Sequence, residues 1–228
     1  MRYNARQMPE PAPPRRLLLA SRSPRRALLL QEAGYTFTRF DPPFADPADP
    51  NLAGDHPADG RGRAQSLARA KAMSVPPRMI EPGAVLLTAD TIGIGPEGQL
   101  IGTPESPAEA MTMLRRLLGR SHQIATGLTL RDHDGQTADL TDVATVHLGE
   151  VAGSDLEKYV DAGGWRGKAG GYNLADRLDA GWPIRVDGDP STVMGLPMVK
   201  LTPLLKRWGV TPSAALSSAD EPAGAGRG

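Results

Sequence analysis

The stretch Leu17 to Gly34, "LLLASRSPRRALLLQEAG", decides the fold. Leu17 to Ala20 reads as a short buried strand. A Ser-Pro turn follows, then an apolar segment that stops at Gly34, a residue that commonly closes helices. Strand, tight turn and helix in direct succession begin an α/β unit. The helix start breaks a local rule. Ser23 suits the N-cap and Pro24 the first turn, but Arg25 and Arg26 come next. They sit at the positive end of the helix dipole, where a cation costs about 0.3–1 kcal/mol and an acid would gain as much.

The chain carries its own control. Ser106-Pro107-Ala108-Glu109 opens another expected helix with the same first residues, but Glu109 stands where a capping box needs it. Beside that start, Arg25 and Arg26 are either cations extended into solvent or two walls of an anion site. A bound anion would reverse the sign of the dipole cost. Backbone N–H groups, the Ser21 and Ser23 hydroxyls and both guanidinium groups would then point at one negative ligand.

Outward from this stretch, the helix spans about Pro24 to Ala33 and a second strand lies in "YTFTRF", Tyr35 to Phe40. A long acidic loop follows, "DPPFADPADPNLAGDHPADG". Loops of that length in compact domains are often functional. "GRGRAQSLARAKAM" reads as a helix, "AVLLTADTIGIG" as an apolar strand with Asp90 near its carboxyl end, and "GQLIGTP" as a short strand. The helix at Ser106 places Met111, Leu114, Leu117 and Leu118 on one face. His122 to Leu148 reads as a long β-hairpin turning at Asp134-Gly135 in a type I′ turn. Ile124, Leu128 and Leu130 share one face with Leu140, Ala144 and Val146. Ser154 and Glu157 suggest a capped helix, "GGWRGKAGGYNLADR" a Gly-rich loop, and "PIRV" a strand. The loop "DGDPSTVMGLP" precedes a helix from Pro197 to Trp208. Helices mixed with an antiparallel hairpin imply a mixed sheet. The expected organisation is a disordered leader over residues 1–14, one domain over 15–210 and a disordered tail over 211–228.

The 228 residues hold 26 Lys plus Arg against 26 Asp plus Glu, so the formal net charge is zero. That balance argues against a nucleic-acid polymer as partner and for a small anion held locally. There is no cysteine, and the four histidines lack a zinc-binding spacing. The apolar run at Leu17 is too short for a membrane span, so a soluble, cytoplasmic protein without a membrane partner is expected.

Other positions also break local rules. Lys71 continues the apolar face formed by Ala64, Leu67 and Ala68, so it either snorkels or lines a cleft. Asp90 at a strand end could bind a hard cation or activate water, or could be a structural aspartate. The Gly-rich loop fails as a Walker A motif, because the spacing is short and Ala169 stands where Ser or Thr is needed. Lys168 could still meet an anion, or be an exposed lysine on a turn.

Taken together, "ASRSPRR", "ARAKA", "TADT", "IGTP", "KAGGY" and "MGLP", in this order and spacing, resemble the Maf proteins, which are nucleoside triphosphate pyrophosphatases. The likeness runs from about Leu17 to Trp208. It implies an α/β fold like that of the inosine triphosphate pyrophosphatases: a mixed, strongly curved sheet flanked by helices, with a central cleft. By the same likeness Asp90 matches the catalytic acid. Arg25 matches a substrate-contacting arginine, with Ser21, Ser23 and Arg26 completing the phosphate turn. Lys71 matches a phosphate-facing lysine, Lys168 the substrate-binding lysine of the family's Lys-Ala-Gly motif, and Thr91 a position tied to base specificity. Asp46 aligns with a family glutamate and would hold Mg²⁺ or Mn²⁺ together with Asp90.

The chain departs from the family at Thr103, where a lysine is usual, at Ala175, a specificity position usually Gln or Glu, and at Asp46. The closing "GDPSTVMGLP" resembles the subfamily acting on modified guanosine triphosphate, while Ala175 fits neither subfamily. The implied activity is hydrolysis of a non-standard or modified nucleoside triphosphate to monophosphate and pyrophosphate. The implied assembly is a homodimer. A rival reading is a nucleotide-binding regulator of cell division with weak turnover, which the loss of lysine at Thr103 favours and Asp90 opposes. An RNA-binding protein is disfavoured by neutral charge and few aromatics.

Overall fold

The computed structural model describes residues 14–40 and 59–213. The acidic loop with Asp46, and nearly all of the expected leader and tail, lie outside the described residues.

A seven-stranded sheet forms the centre, in the order β2-β1-β3-β5-β6-β7, with β4 pairing beside β3. β1 (Arg16–Leu19) pairs in parallel with β2 (Phe37–Arg39) and β3 (Ala84–Ile94). β5 (Arg120–Asp132), β6 (Thr137–Leu148) and β7 (Ile184–Asp187) continue antiparallel, and β4 (Leu100–Ile101) folds back on β3. The sheet is therefore mixed, as expected. It is not strongly curved, which corrects the expectation. The strands form an open path whose outer members, β2 and β7, do not meet. The long central ladders also run without interruption, from Val85↔Asp132 to Ile94↔Gln123 and from Arg120↔Leu148 to Arg131↔Thr137. Sharp bending needs bulges, and these ladders contain none.

Helix α1 (Pro24–Glu32) and α7 (Met198–Arg207) cover one face. Leu29, Leu30, Leu201 and Leu205 pack there on Leu17, Leu19, Val85, Leu87, Leu128 and Leu130. Helices α3 (Pro107–Leu117) and α4 (Gly153–Asp161) cover the far end of the hairpin, with Leu114, Leu117, Leu156 and Val160 on Val146 and Leu148. Helix α2 (Gly60–Ser74) lies on the opposite face, with Ala64 and Leu67 against Ile92 and Ala125. Gly127 makes this close approach possible. A Cβ there would stand 2.5 Å from the Gln65 backbone and 2.6 Å from that of Ala64.

Local rules account for most elements and for the exceptions. The hairpin turn is not the two-residue type I′ turn read from Asp134-Gly135. Asp132 N–H bonds the Gln136 carbonyl and Gly135 N–H the Asp132 carbonyl, with Gly135 at φ 82, which makes a three-residue loop with a left-handed glycine. Ser154 does not cap α4; the helix starts earlier, at Gly153, with Ala152 as N-cap. The Gly-rich loop contains a helix that its composition hid, α5 (Leu174–Asp179), capped by Asn173. The stretch before Leu196 holds a short helix, α6 (Pro190–Met194), capped by Asp189. No helix among the described residues is long and apolar enough to cross a membrane.

Candidate functional site

Strand β3 is longer than its neighbours on one edge, and this makes the site. β1 stops pairing at Leu87, and β4 starts only at Gly93. Between them Thr88 to Ile92 leave a notch in the sheet. Asp90 and Thr91 stand in that notch. Asp90 is therefore mid-strand and not near the carboxyl end of β3, but it lies just past the carboxyl end of β1, where open α/β sheets place ligands.

A cleft of about 380 Å³ opens over the notch. Ser23, Arg25, Arg26, Lys71, Asp90 and Thr91 line it, together with the apolar side chains of Ile101, Ile124, Leu174 and Val193 and the ring of Tyr172; Lys168 and Thr103 also face it. Among the described residues its charged lining is Arg25, Arg26, Lys71 and Lys168 against the single carboxylate Asp90. A chain with no net charge has concentrated positive charge in one concave place, as small-anion binding requires.

Lys71 settles the choice between snorkelling and cleft. It is 8% exposed, and its Nζ donates to Asp90 Oδ1 at 2.6 Å. The pair joins α2 to β3 across the notch. Asp90 Oδ2 has no partner among the described residues and remains available to the cleft.

The two arginines of the opening turn divide their work. Arg25 is exposed, lines the cleft and makes no hydrogen bond or ion pair among the described residues. Arg26 uses its guanidinium on the protein: Nε donates to the Gly195 carbonyl at 3.0 Å, Nη1 to Ser21 Oγ at 3.1 Å and Nη2 to Thr91 Oγ1 at 3.1 Å. Thus the dipole cost at Arg26 is offset by bonds to distant elements, not only by a ligand. Ser21, 8% exposed, also accepts from the Ser23 N–H, and it is not among the cleft-lining residues. Ser23 lines the cleft and caps the Arg26 N–H. In the control helix Ser106 caps Glu109 in the same way, while Glu109 reaches back to the Glu105 N–H.

Thr91 continues a polar chain that sequence reading missed. Its hydroxyl meets Thr126 Oγ1 at 2.9 Å, and Thr126 donates to the Thr192 carbonyl of α6. Thr192 in turn donates to Asp142 Oδ2 at 2.6 Å, and Lys200 pairs with Asp142 Oδ1. Burial works against the charged form of Asp142, but the hydrogen bonds from Lys200 and Thr192 outweigh it and hold the carboxyl below its usual range. The chain fixes α6, whose end supplies Val193 and Met194 to the cleft.

Lys168 is not a free lysine on a turn. Its Nζ donates to Asp176 Oδ2 at 2.9 Å, and this bond, together with Arg177 and Arg25, holds the Asp176 carboxyl below the ordinary carboxylate range. Asp176 thus keeps a polar partner beside the Ala175 position. Ala175 itself does not line the cleft, and its N–H is bonded by Asn173 Oδ1. Asp46 lies outside the described residues. Tyr172 and Asn173 line the cleft and were missed; a Gly-rich segment gives no periodic signal for either.

No group of three or more His, Cys, Asp or Glu that could hold a metal is found among the described residues. The donor set, one carboxylate with hydroxyls, fits a hard cation that takes most of its oxygen ligands from a bound phosphate.

A family profile described as Maf-like protein matches residues 16–208. Among curated relatives, a dTTP/UTP pyrophosphatase of Salinibacter ruber is 38% identical over 191 residues, covering 81% of this chain and 87% of that protein. A dTTP/UTP pyrophosphatase of Bacillus pumilus is 32% identical, covering 86% and 98%. A solved dITP/XTP pyrophosphatase of Mycobacterium abscessus is 15% identical with a TM-score of 0.38, covering 72% of this chain and 92% of that one.

Proposed function

Because the chain belongs to the family of Maf-like proteins, we propose that it is a nucleoside triphosphate pyrophosphatase, cutting between the α and β phosphates to give a monophosphate and pyrophosphate. The observation that carries this reading is the Lys71–Asp90 pair, 2.6 Å apart, in a cleft whose other charged lining residues are all cations. A pure anion binder gains nothing from a carboxylate there. A hydrolase needs one to order and deprotonate water.

The lining of the cleft and its hydrogen bonds support the following roles. Arg25 and Lys168 meet the phosphate oxygens and spread their charge. Arg26 holds the turn, Thr91 and Gly195 in register, so that Arg25 and Ser23 keep their places in the cleft lining. Lys71 anchors Asp90 Oδ1 and leaves Oδ2 to orient a water in line with the α-phosphorus and take its proton. As the water oxygen bonds to phosphorus, the bond to the bridging oxygen breaks and pyrophosphate leaves. Asp90 is the described residue that would hold a divalent cation, Mg²⁺ or Mn²⁺, with Asp46 as its second ligand. When bound, such a cation neutralises phosphate charge and acidifies water.

The apolar side chains of the lining, among them Ile101, Ile124, Leu174 and Val193, offer the nucleobase a surface. The relatives named above act on dTTP and UTP by name. We therefore propose a uridine or thymidine triphosphate as substrate, in place of the modified guanosine nucleotide suggested by "GDPSTVMGLP". A screen of standard and modified nucleoside triphosphates with Mg²⁺ or Mn²⁺, scoring pyrophosphate against phosphate, tests the reading. Release of orthophosphate alone, or of nothing, would contradict it.

A further inference from the structure

The proposed activity leaves open which side chain reads the base, and the structure points to one. Asn173 lies between Tyr172 and Leu174, and all three line the cleft. Its amide cannot turn freely. Oδ1 accepts the Ala175 N–H at 3.2 Å as the N-cap of α5, and only an oxygen can accept that bond. Nδ2 is thereby left as the polar atom able to face the cleft, and it can only donate. It has no partner among the described residues, and Asn173 is half-buried.

The neighbouring ring is fixed as well. Tyr172 OH lies 2.7 Å from His122 Nε2, the rings meet edge to face with centroids 5.7 Å apart, and Tyr172 is 8% exposed. A base lying along this wall meets a rigid aromatic, a leucine and one fixed N–H donor. A donor of this kind favours a carbonyl on the base edge and opposes an amino group.

We infer that Asn173 is a specificity-determining residue, whose Nδ2 donates to the C4 carbonyl of the base and so selects uracil or thymine over cytosine, which carries an amino group there. This inference rests on the proposed activity. It assigns base choice to a residue beside Ala175, where the usual family side chain is missing.

The test compares wild type, Asn173→Asp and Asn173→Ser on UTP and CTP. Both substrates carry the same triphosphate, so the added charge of Asp cancels in the ratio of their kcat/KM values. Asp and Ser both keep an oxygen for the Ala175 N–H, and thermal melts confirm that α5 remains capped. Wild type is expected to favour UTP, and Asn173→Asp to lower the UTP:CTP ratio by about tenfold or more, the size expected for one lost hydrogen bond. Asn173→Ser should lower it too. An unchanged ratio in both variants, or a wild type that does not distinguish the substrates, overturns the inference. Calorimetric binding of UMP and CMP to the same proteins gives the same ratio without turnover. A wild type that hydrolyses nothing defeats the proposed activity, while the UMP:CMP ratio still decides the role of Asn173.

Discussion

Lys71 Nζ sits 2.6 Å from Asp90 Oδ1, with the two side chains 9% and 13% exposed. A nearly buried ion pair is costly to break from one side, by about 3–5 kcal/mol, because the survivor loses a close countercharge in a place short of water. Lys71→Met should therefore lower the urea midpoint clearly, and Asp90→Leu likewise. The double variant should be more stable than either single one. Additive losses would show that the two groups do not depend on each other.

Arg25 and Arg26 are neighbours in sequence with opposite roles, and their variants should separate cleanly. Arg25→Ala removes a side chain without hydrogen bonds or ion pairs among the described residues, so stability should move by no more than about 0.5 kcal/mol while KM rises. Arg26→Lys loses a three-way fork to Gly195, Ser21 and Thr91, and should cost about 2 kcal/mol. Urea titration beside steady-state kinetics decides; equal effects at both positions would remove the distinction.

Gly127→Ala should destabilise severely, by more than about 3 kcal/mol. The new methyl meets helix backbone at 2.5 Å, and backbone cannot swing aside as a side chain tip can. A folded, fully stable variant would mean that α2 can lift off the sheet without cost.

His122 gives the fold an acid limit. Burial, with a smaller push from His147, lowers its ring to about 4 from the ordinary 6.5. The unfolded chain takes up this proton first, so stability should fall as pH drops from about 6.5 to about 4 and then level off, by about 3 kcal/mol in all. His122→Gln should flatten that part of the profile. The same slope in both proteins would place the acid sensitivity elsewhere.

The parts legible in the sequence are those written in local rules. The strand, turn and helix at Leu17, the odd arginines, and the lysine on an apolar face all break or obey short-range patterns, and all lead to the cleft. What stayed hidden depends on distance along the chain. Arg26 looks like a second phosphate ligand until Thr91 and Gly195, 65 and 169 residues away, take its donors. Asn173 and α5 were lost inside a Gly-rich stretch whose composition resembles a loop. Sheet curvature was borrowed from a resemblance, whereas it is set by ladder continuity, which pairing reveals and composition does not.

The most direct test is product analysis of UTP turnover by wild type and Asp90→Asn, in the presence of Mg²⁺, with phosphorus NMR. The account predicts UMP and pyrophosphate from wild type, and a rate at least about 100-fold lower in the variant. UDP with orthophosphate, or equal pyrophosphate release from both proteins, would contradict it.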